Sequence, residues 1–198
     1  MGKWIGVICV FLGVICILSA IGFAVYNRWE DKDAEAVAQE LLADAQSIIE
    51  EKQPQQQLPN DPVTELAEMP TVKVGSYDCI GILSVPALDL ELPVLTDWSY
   101  KKLKKAPCLY YGSYYEKDFV IAAHNYKSHF GRLSELQAGD VVIFTDVNGK
   151  AHYYQVVLQE TLPKEATLEM ITSGFALSLY TCTPGGASRV TVRCAAAK

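Results

Sequence analysis

Cys182 and Arg189 lie at the two ends of a turn-forming segment, Thr183-Pro184-Gly185-Gly186-Ala187-Ser188. The runs on either side, residues 176–182 and 189–194, are rich in apolar and β-branched residues and read as strands. If they pair across the loop, Cys182 faces Arg189. Alternation then puts Tyr180, Cys182, Arg189 and Thr191 on one face and Leu179, Thr181, Val190 and Val192 on the other. The second set is mostly apolar and suits a core. The first brings a thiol beside a permanent cation, which favours thiolate and can bind a developing oxyanion. A buried cysteine that merely neighbours a surface arginine produces the same pattern without chemistry.

A nucleophilic thiol needs a proton partner, and histidine is the usual one near neutral pH. The apolar run Val120-Ile121-Ala122-Ala123 ends in His124-Asn125, where a polar side chain emerges at a strand end. Spacing alone does not bring His124 to Cys182. The chain order does argue against papain-like thiol enzymes, in which the cysteine precedes the histidine and opens a helix. From another class comes a membrane-tethered, non-catalytic β-domain for adhesion or assembly, with Cys182 held in a disulfide.

These residues need a scaffold of strands. From about residue 72 the chain is a series of short β-like runs, at 80–85, 90–95, 119–123, 140–145, 152–159, 176–182 and 189–194. Gly, Pro, Asp and Asn separate them, and Asp146-Val147-Asn148-Gly149 supplies an Asn-Gly hairpin signal. Many short strands at this spacing predict a mainly β domain built as a closed or nearly closed barrel. Tyr110, Tyr111, Tyr114 and Tyr115 read as strand packing, with a peptide groove as the alternative.

The amino-terminal end is different. Residues 4–26 carry no charge and, as a helix, reach ~34 Å, enough for a ~30 Å hydrocarbon core. The run is longer than the ~7–15 apolar residues of a cleavable signal, although Gly22-Phe23-Ala24 imitates a cleavage site. Lys3 precedes the span, whereas Arg28 is followed at once by Glu30, Asp31 and Asp33, which predicts a cytoplasmic N-terminus and an external C-terminal domain. Residues 34–52 then show apolar positions at helical spacing (Val37, Leu41, Ala45, Ile48, Ile49), read as a helical stalk with docking on the domain as the alternative. A linker rich in Pro and Gln follows at 53–62. The expected division is 1–28 anchor, 29–71 helical stalk and linker, and 72–198 catalytic domain.

Composition excludes several classes. A formal net charge of −6 offers no basic stripe for nucleic acid. The cluster Lys101, Lys102, Lys104 and Lys105 reads as a solvated face. Cys79, Cys108, Cys182 and Cys194 fall outside the span, where three full disulfide pairings are open. No CxxC pair accompanies the three histidines, and Glu116, Asp118 and Asp140 do not form a loop of alternating carboxylates. Neither metal nor cofactor is expected.

Along nearly the whole region after residue 72 the residues resemble the sortases. Ile80-Gly81-Ile82-Leu83-Ser84-Val85-Pro86 with Leu92-Pro93-Val94-Leu95 is similar to that family's opening strands. Ala123-His124-Asn125, His129-Phe130-Gly131-Arg132-Leu133 and Leu136-Gln137-Ala138-Gly139-Asp140 resemble its histidine motif and the segment after it. Leu179-Tyr180-Thr181-Cys182 resembles the end of its Thr-Leu-x-Thr-Cys motif, with Ser178 in place of the first Thr and Arg189 in the place of the arginine. His-Asn followed by His-Phe-Gly leans towards a class-B-like or unclassified clostridial type. The resemblance implies a single closed eight-stranded barrel with short helices, in a cysteine transpeptidase of a Gram-positive cell. Its implied catalytic residues are Cys182 as nucleophile, His124 as acid/base and Arg189 as oxyanion stabiliser. Thr181, Ser178 and Asn125 are the implied substrate contacts, and His129 has no catalytic duty. The implied partners are C-terminal sorting signals of the Leu-Pro-x-Thr-Gly kind and an amine acceptor, either lipid II or a pilin lysine. The enzyme would sit in the cell membrane by one pass, with its catalytic domain outside.

Overall fold

A computed structural model of the chain describes residues 2–52 and 69–197. The linker read at 53–62 lies outside the described residues. The chain forms two compact units that divide between Asp33 and Ala34. Helix α1 (Gly2–Lys52) begins in the first unit. It contains a stretch long and apolar enough to cross a membrane, with mean hydropathy 2.8 in its most apolar window and nothing there buried by protein. Phe11, Leu18, Ile21 and Phe23 stand exposed, as suits a lipid-facing surface. The Tyr26 and Trp29 rings, 6.5 Å apart, lie where interfacial aromatics are common.

Among the described residues the second unit forms nine strands. These are β1 (Val72–Val74), β2 (Tyr77–Val85), β3 (Leu90–Leu95), β4 (Cys108–Tyr111), β5 (Phe119–Ala122), β6 (Val141–Asp146), β7 (Ala151–Pro163), β8 (Leu177–Cys182) and β9 (Ser188–Ala196). They make one sheet in the order β1-β2-β3-β4-β5-β8-β9-β7-β6, and β6 pairs back onto β2. That pairing closes β2 to β9 into an eight-stranded barrel. β1 extends the first part of β2, opposite Cys79, while β6 takes the later part from Gly81 to Ser84. All seven predicted runs are strands. At the Asn-Gly hairpin the left-handed residue is Gly149, with φ 78°. The Asp146 carboxylate closes this turn by accepting from the Asn148 and Lys150 N–H groups.

The barrel interior is apolar. Leu177 and Leu179 from β8 and Val192 and Cys194 from β9 point inward with Phe119, Ile121, Phe130 and Phe144. A second cluster lies where the last turns of α1 meet the strands. Leu41, Leu42, Ala45 and Ile49 pack against Val72, Val74, Cys79, Ile82, Leu95 and Cys108. The stretch read as a stalk therefore has a buried face. Small residues at Ala34, Ala38 and Ala45, each at most 2 % exposed, let the helix approach closely. Burying each of Leu41, Leu42 and Ile49 contributes roughly 1.5–3 kcal/mol.

Among the described residues the unit also carries two short α-helices. α2 (Tyr100–Leu103) is capped by the Ser99 hydroxyl, which accepts from the Lys102 N–H. α3 (Thr167–Ile171) lies in the β7–β8 connection and covers part of the outer surface of β8 and β9. Beneath this cover Ser178, Thr191 and Arg193 are buried although they share the face of Cys182 and Arg189.

Candidate active site

The β8–β9 ladder runs Leu177↔Cys194, Leu179↔Val192, Thr181↔Val190 and Cys182↔Arg189. Directly opposed residues in an antiparallel pair point the same way, so the thiol and the guanidinium share a face, as the sequence predicts. The connecting loop is closed by its own hydrogen bonds. The Thr183 N–H donates to the Ser188 carbonyl at 3.0 Å, and the Ser188 N–H returns to the Thr183 hydroxyl at 3.1 Å. Gly185 and Gly186 both take left-handed conformations, φ 83° and 73°, which non-glycine residues adopt at a cost. That geometry aims the Gly186 carbonyl back at Arg189. Nη1 of Arg189 donates to the carbonyls of Gly186 and Ser188, both at 3.1 Å.

The histidine reaches the site through the parallel pair β5–β8. Ile121 lies opposite Leu179 and Ala122 opposite Tyr180. Beyond the ladder the Ala123 N–H donates to the Tyr180 carbonyl at 3.2 Å, and the Thr181 hydroxyl donates to the Ala123 carbonyl at 2.9 Å. His124 follows Ala123 by one residue and Cys182 follows Thr181 by one, so the two leave the β5–β8 pair at the same end. The His124 ring stacks on Tyr126, centroids 3.9 Å apart and planes 25° apart. The turn after it is tightly wound. The Phe130 N–H donates to the His124 carbonyl, and a Cβ on Gly131 would lie 2.5 Å from the Asn125 carbonyl oxygen, so only glycine fits there. His129 is fully buried in this turn, its ring edge-on to Tyr126.

Cys182 is only partly buried, in contrast with the other thiols of this unit. Burial pushes Cys79 up to about 11 and both Cys108 and Cys194 up to about 12. All six cysteines are free. Cys194 points into the barrel at the far end of the ladder from Cys182, so a Cys182–Cys194 disulfide is geometrically excluded. Among the described residues no group of three His, Cys, Asp or Glu could hold a metal ion. The Asp118 carboxylate instead accepts from the Ser173 hydroxyl and the Gly174 N–H, and that of Asp140 from the Gln137 N–H.

A cleft opens next to Arg189. Tyr110 and Tyr180 form its floor, and Pro163 at the end of β7 with Thr167 and Met170 of α3 form a wall. Tyr180 stands edge-on to Tyr110 at 5.1 Å, and Tyr110 packs at 5.6 Å against Trp98, which is 43 % exposed. Burial, then the neighbouring Tyr110, raises the Tyr180 phenol well above its ordinary value. The tyrosine cluster is thus divided. Tyr110 faces the cleft, Tyr114 packs in the core, and Tyr111 and Tyr115 are exposed. The three residues expected to contact substrate also part ways. Asn125 is half-buried at the turn after His124. Thr181 is 3 % exposed with its hydroxyl given to Ala123. Ser178 is fully buried and accepts from Nη1 of Arg193 at 2.8 Å. Trp98 and Arg193 also line or support this region without a signal in the sequence. Trp98 carries no periodic signal, and Arg193 reads as an ordinary outward-facing strand residue.

A thiol and a guanidinium opposed on one face, with an imidazole just past the end of the neighbouring strand, are the groups that acyl transfer through a thiol requires. A family model for the sortase domain matches residues 83–197, and the chain belongs to the sortase family of cysteine transpeptidases. Solved structures agree in fold. The chain is similar to a Clostridium perfringens sortase D5 transpeptidase at 15 % identity and TM-score 0.60, covering 82 % of this chain and 99 % of that one. A Clostridium perfringens sortase C with the C-terminal cell wall sorting motif matches at 16 % identity and TM-score 0.56, covering 90 % and 99 %. Listeria monocytogenes sortase A matches at 18 % identity and TM-score 0.56, covering 61 % and 88 %. These three are of classes D, C and A, so the shared barrel does not choose a class. No curated protein sequence matches the chain.

Proposed function

We propose that Cys182, His124 and Arg189 carry out transpeptidation on C-terminal sorting signals. The observation that supports this most is the pair of registers: Cys182↔Arg189 opposes thiol and guanidinium, and Ala122↔Tyr180 aligns the end of β5, two residues before His124, with the end of β8. The Cys182 thiolate attacks a backbone carbonyl carbon, and the oxyanion forms beside Arg189. One terminal nitrogen of Arg189 is held by loop carbonyls, so Nε and Nη2 are the donors for that charge. The C–N bond then breaks as imidazolium His124 gives its proton to the leaving amine, and a thioester remains on Cys182. An incoming amine yields a proton to His124, attacks the thioester carbonyl and expels the thiolate.

The peptide lies in the cleft over Tyr110 and Tyr180, with Asn125 at its rim. Thr181 fixes the spacing of β5 and β8. Sorting signals of the Leu-Pro-x-Thr-Gly kind are the substrate class, and an amine of lipid II or of a pilin lysine is the acceptor. The apolar part of α1 tethers the enzyme to the cell membrane, N-terminus inside and barrel outside, where secreted proteins emerge. The test incubates full-length chain in detergent with a pentapeptide library and reads adducts by mass spectrometry. A thioester on Cys182, absent from Cys182→Ala, is expected. No adduct with any peptide would overturn the proposal.

A further inference from the structure

Arg189 and Arg193 lie on the same face of β9, opposite Cys182 and Ser178 respectively. The ladder thus repeats a hydroxyl-or-thiol beside a guanidinium, one rung at the rim and one beneath α3. Arg193 is 1 % exposed, and every edge of its guanidinium is engaged. Nε meets the Glu160 carboxylate on β7 at 2.8 Å. Nη1 donates to the Ser178 hydroxyl at 2.8 Å and to the Met170 carbonyl at 3.2 Å, and Nη2 to the Glu169 carbonyl at 2.8 Å. The Phe175 ring centroid lies 5.9 Å from the guanidinium carbon.

Two of those acceptors are carbonyls near the end of α3, which a helix cannot satisfy internally. A buried cation there caps the helix and ties it to the barrel. α3 is only five residues long and Leu168 is 67 % exposed, so the helix has little apolar burial to hold it. Met170 is its buried residue, and Thr167 and Met170 also form the cleft wall. The other end of the connection is fastened separately by Asp118, through Ser173 and Gly174.

We propose that Arg193, oriented by Ser178 and Glu160, is a positioning residue that sets the substrate-recognising wall of the cleft. The proposal rests on the transpeptidase reading, since it takes the cleft beside Arg189 to be the peptide site. Arg193 touches neither the thiol nor the peptide and acts through α3. Ser178, four residues before the nucleophile, serves the wall and not the substrate directly.

Arg193→Met, Arg193→Lys and Ser178→Ala in the full-length chain separate this role from plain stability. Three readouts are taken. These are turnover of the best member of a Leu-Pro-x-Thr-Gly peptide pool, the rate of Cys182 alkylation by iodoacetamide, and hydrogen exchange in residues 164–175. Arg193→Met is expected to raise KM about tenfold while kcat stays within about twofold. Alkylation of Cys182 is expected to be unchanged and exchange in 164–175 to be at least about tenfold faster. Arg193→Lys should fall between, because an ammonium reaches Glu160 but cannot fork onto two carbonyls. Ser178→Ala should shift KM in the same direction by about threefold. A structural role alone would lower thermal stability and the active fraction and leave KM alone. Normal KM with full protection of 164–175 in Arg193→Met would overturn the proposal. If that variant does not fold, the same result in Arg193→Lys and Ser178→Ala overturns it. If wild type turns over no peptide, the transpeptidase reading fails, and the exchange data still decide whether Arg193 holds the wall.

Discussion

Thr181→Val isolates the bond that ties β8 to the chain just before His124. Thr181 is 3 % exposed, and its hydroxyl donates to the Ala123 carbonyl at 2.9 Å, one residue before His124 and one before Cys182. Valine keeps the shape and removes the donor, leaving a buried carbonyl short of its partner. That omission costs about 1–3 kcal/mol, and Tm falls by ~2–4 °C per kcal/mol for a domain of this size. The barrel has other pairings between β5 and β8, from Phe119↔Leu177 to Ala122↔Tyr180, so the fold survives. The end of β5 loosens where the imidazole must meet the thiol. A displacement approaching 1 Å at a reacting pair costs up to about 10²-fold, and a partial loosening gives about tenfold in kcat, with KM within about twofold. Thr181→Ser, which keeps the hydroxyl, should recover most of it. Peptide turnover and a thermal melt measured on all three proteins decide the matter. An unchanged kcat with the expected fall in Tm would refute the positioning role, and an unchanged Tm would refute the bond.

Other expectations follow from the same geometry. Arg189→Lys should lose about 10²-fold in turnover, because an ammonium cannot bond the loop carbonyls and the oxyanion with a planar fork; near-normal turnover removes Arg189 from the mechanism. Iodoacetamide at pH 8 should label Cys182 and spare Cys79, Cys108 and Cys194. With values of about 11 and 12 for those three, about 10⁻³ to 10⁻⁴ of each is thiolate there, and peptide mapping checks the selectivity. The same raised values stabilise the fold fully only below the unfolded thiol's ~8.5 and less as pH climbs through 11–12. Tm should therefore decline above pH ~9, and less steeply in Cys194→Val; an identical slope would mean the thiol does not contribute. Leu41→Ala should cost ~2–3 kcal/mol in denaturant melts, whereas a free-standing stalk would lose almost nothing.

The strands were legible because alternation and turn residues are local signals. The β8–β9 hairpin gave up its register for the same reason, its loop being too short to allow many pairings. The parallel β5–β8 pairing, which aligns the strand ends that precede His124 and carry Cys182, was not legible from spacing because it joins segments nearly sixty residues apart; the role of His124 came from the family resemblance alone. β4 stayed unmarked among its tyrosines, where Leu109 turns inward and Tyr110 outward with no polar alternation to show it. Ser178 and Arg193 show another limit. Alternation gives the face a residue occupies but not what covers that face, and α3 turns an outward arginine into a buried one. The α1 face was visible as a helical stripe, but its partner, the wall of β1 to β3, was not.

Transpeptidation through a thiol requires that Cys182 become acylated. Full-length chain is mixed with a Leu-Pro-x-Thr-Gly peptide, quenched in acid and digested, and the mass of the Cys182 peptide is read. An acyl thioester is expected on Cys182; hydroxylamine removes it, Cys182→Ala abolishes it and His124→Ala strongly reduces it. An unmodified Cys182 with cleaved peptide in solution, or an acyl group on any other residue, would contradict this mechanism.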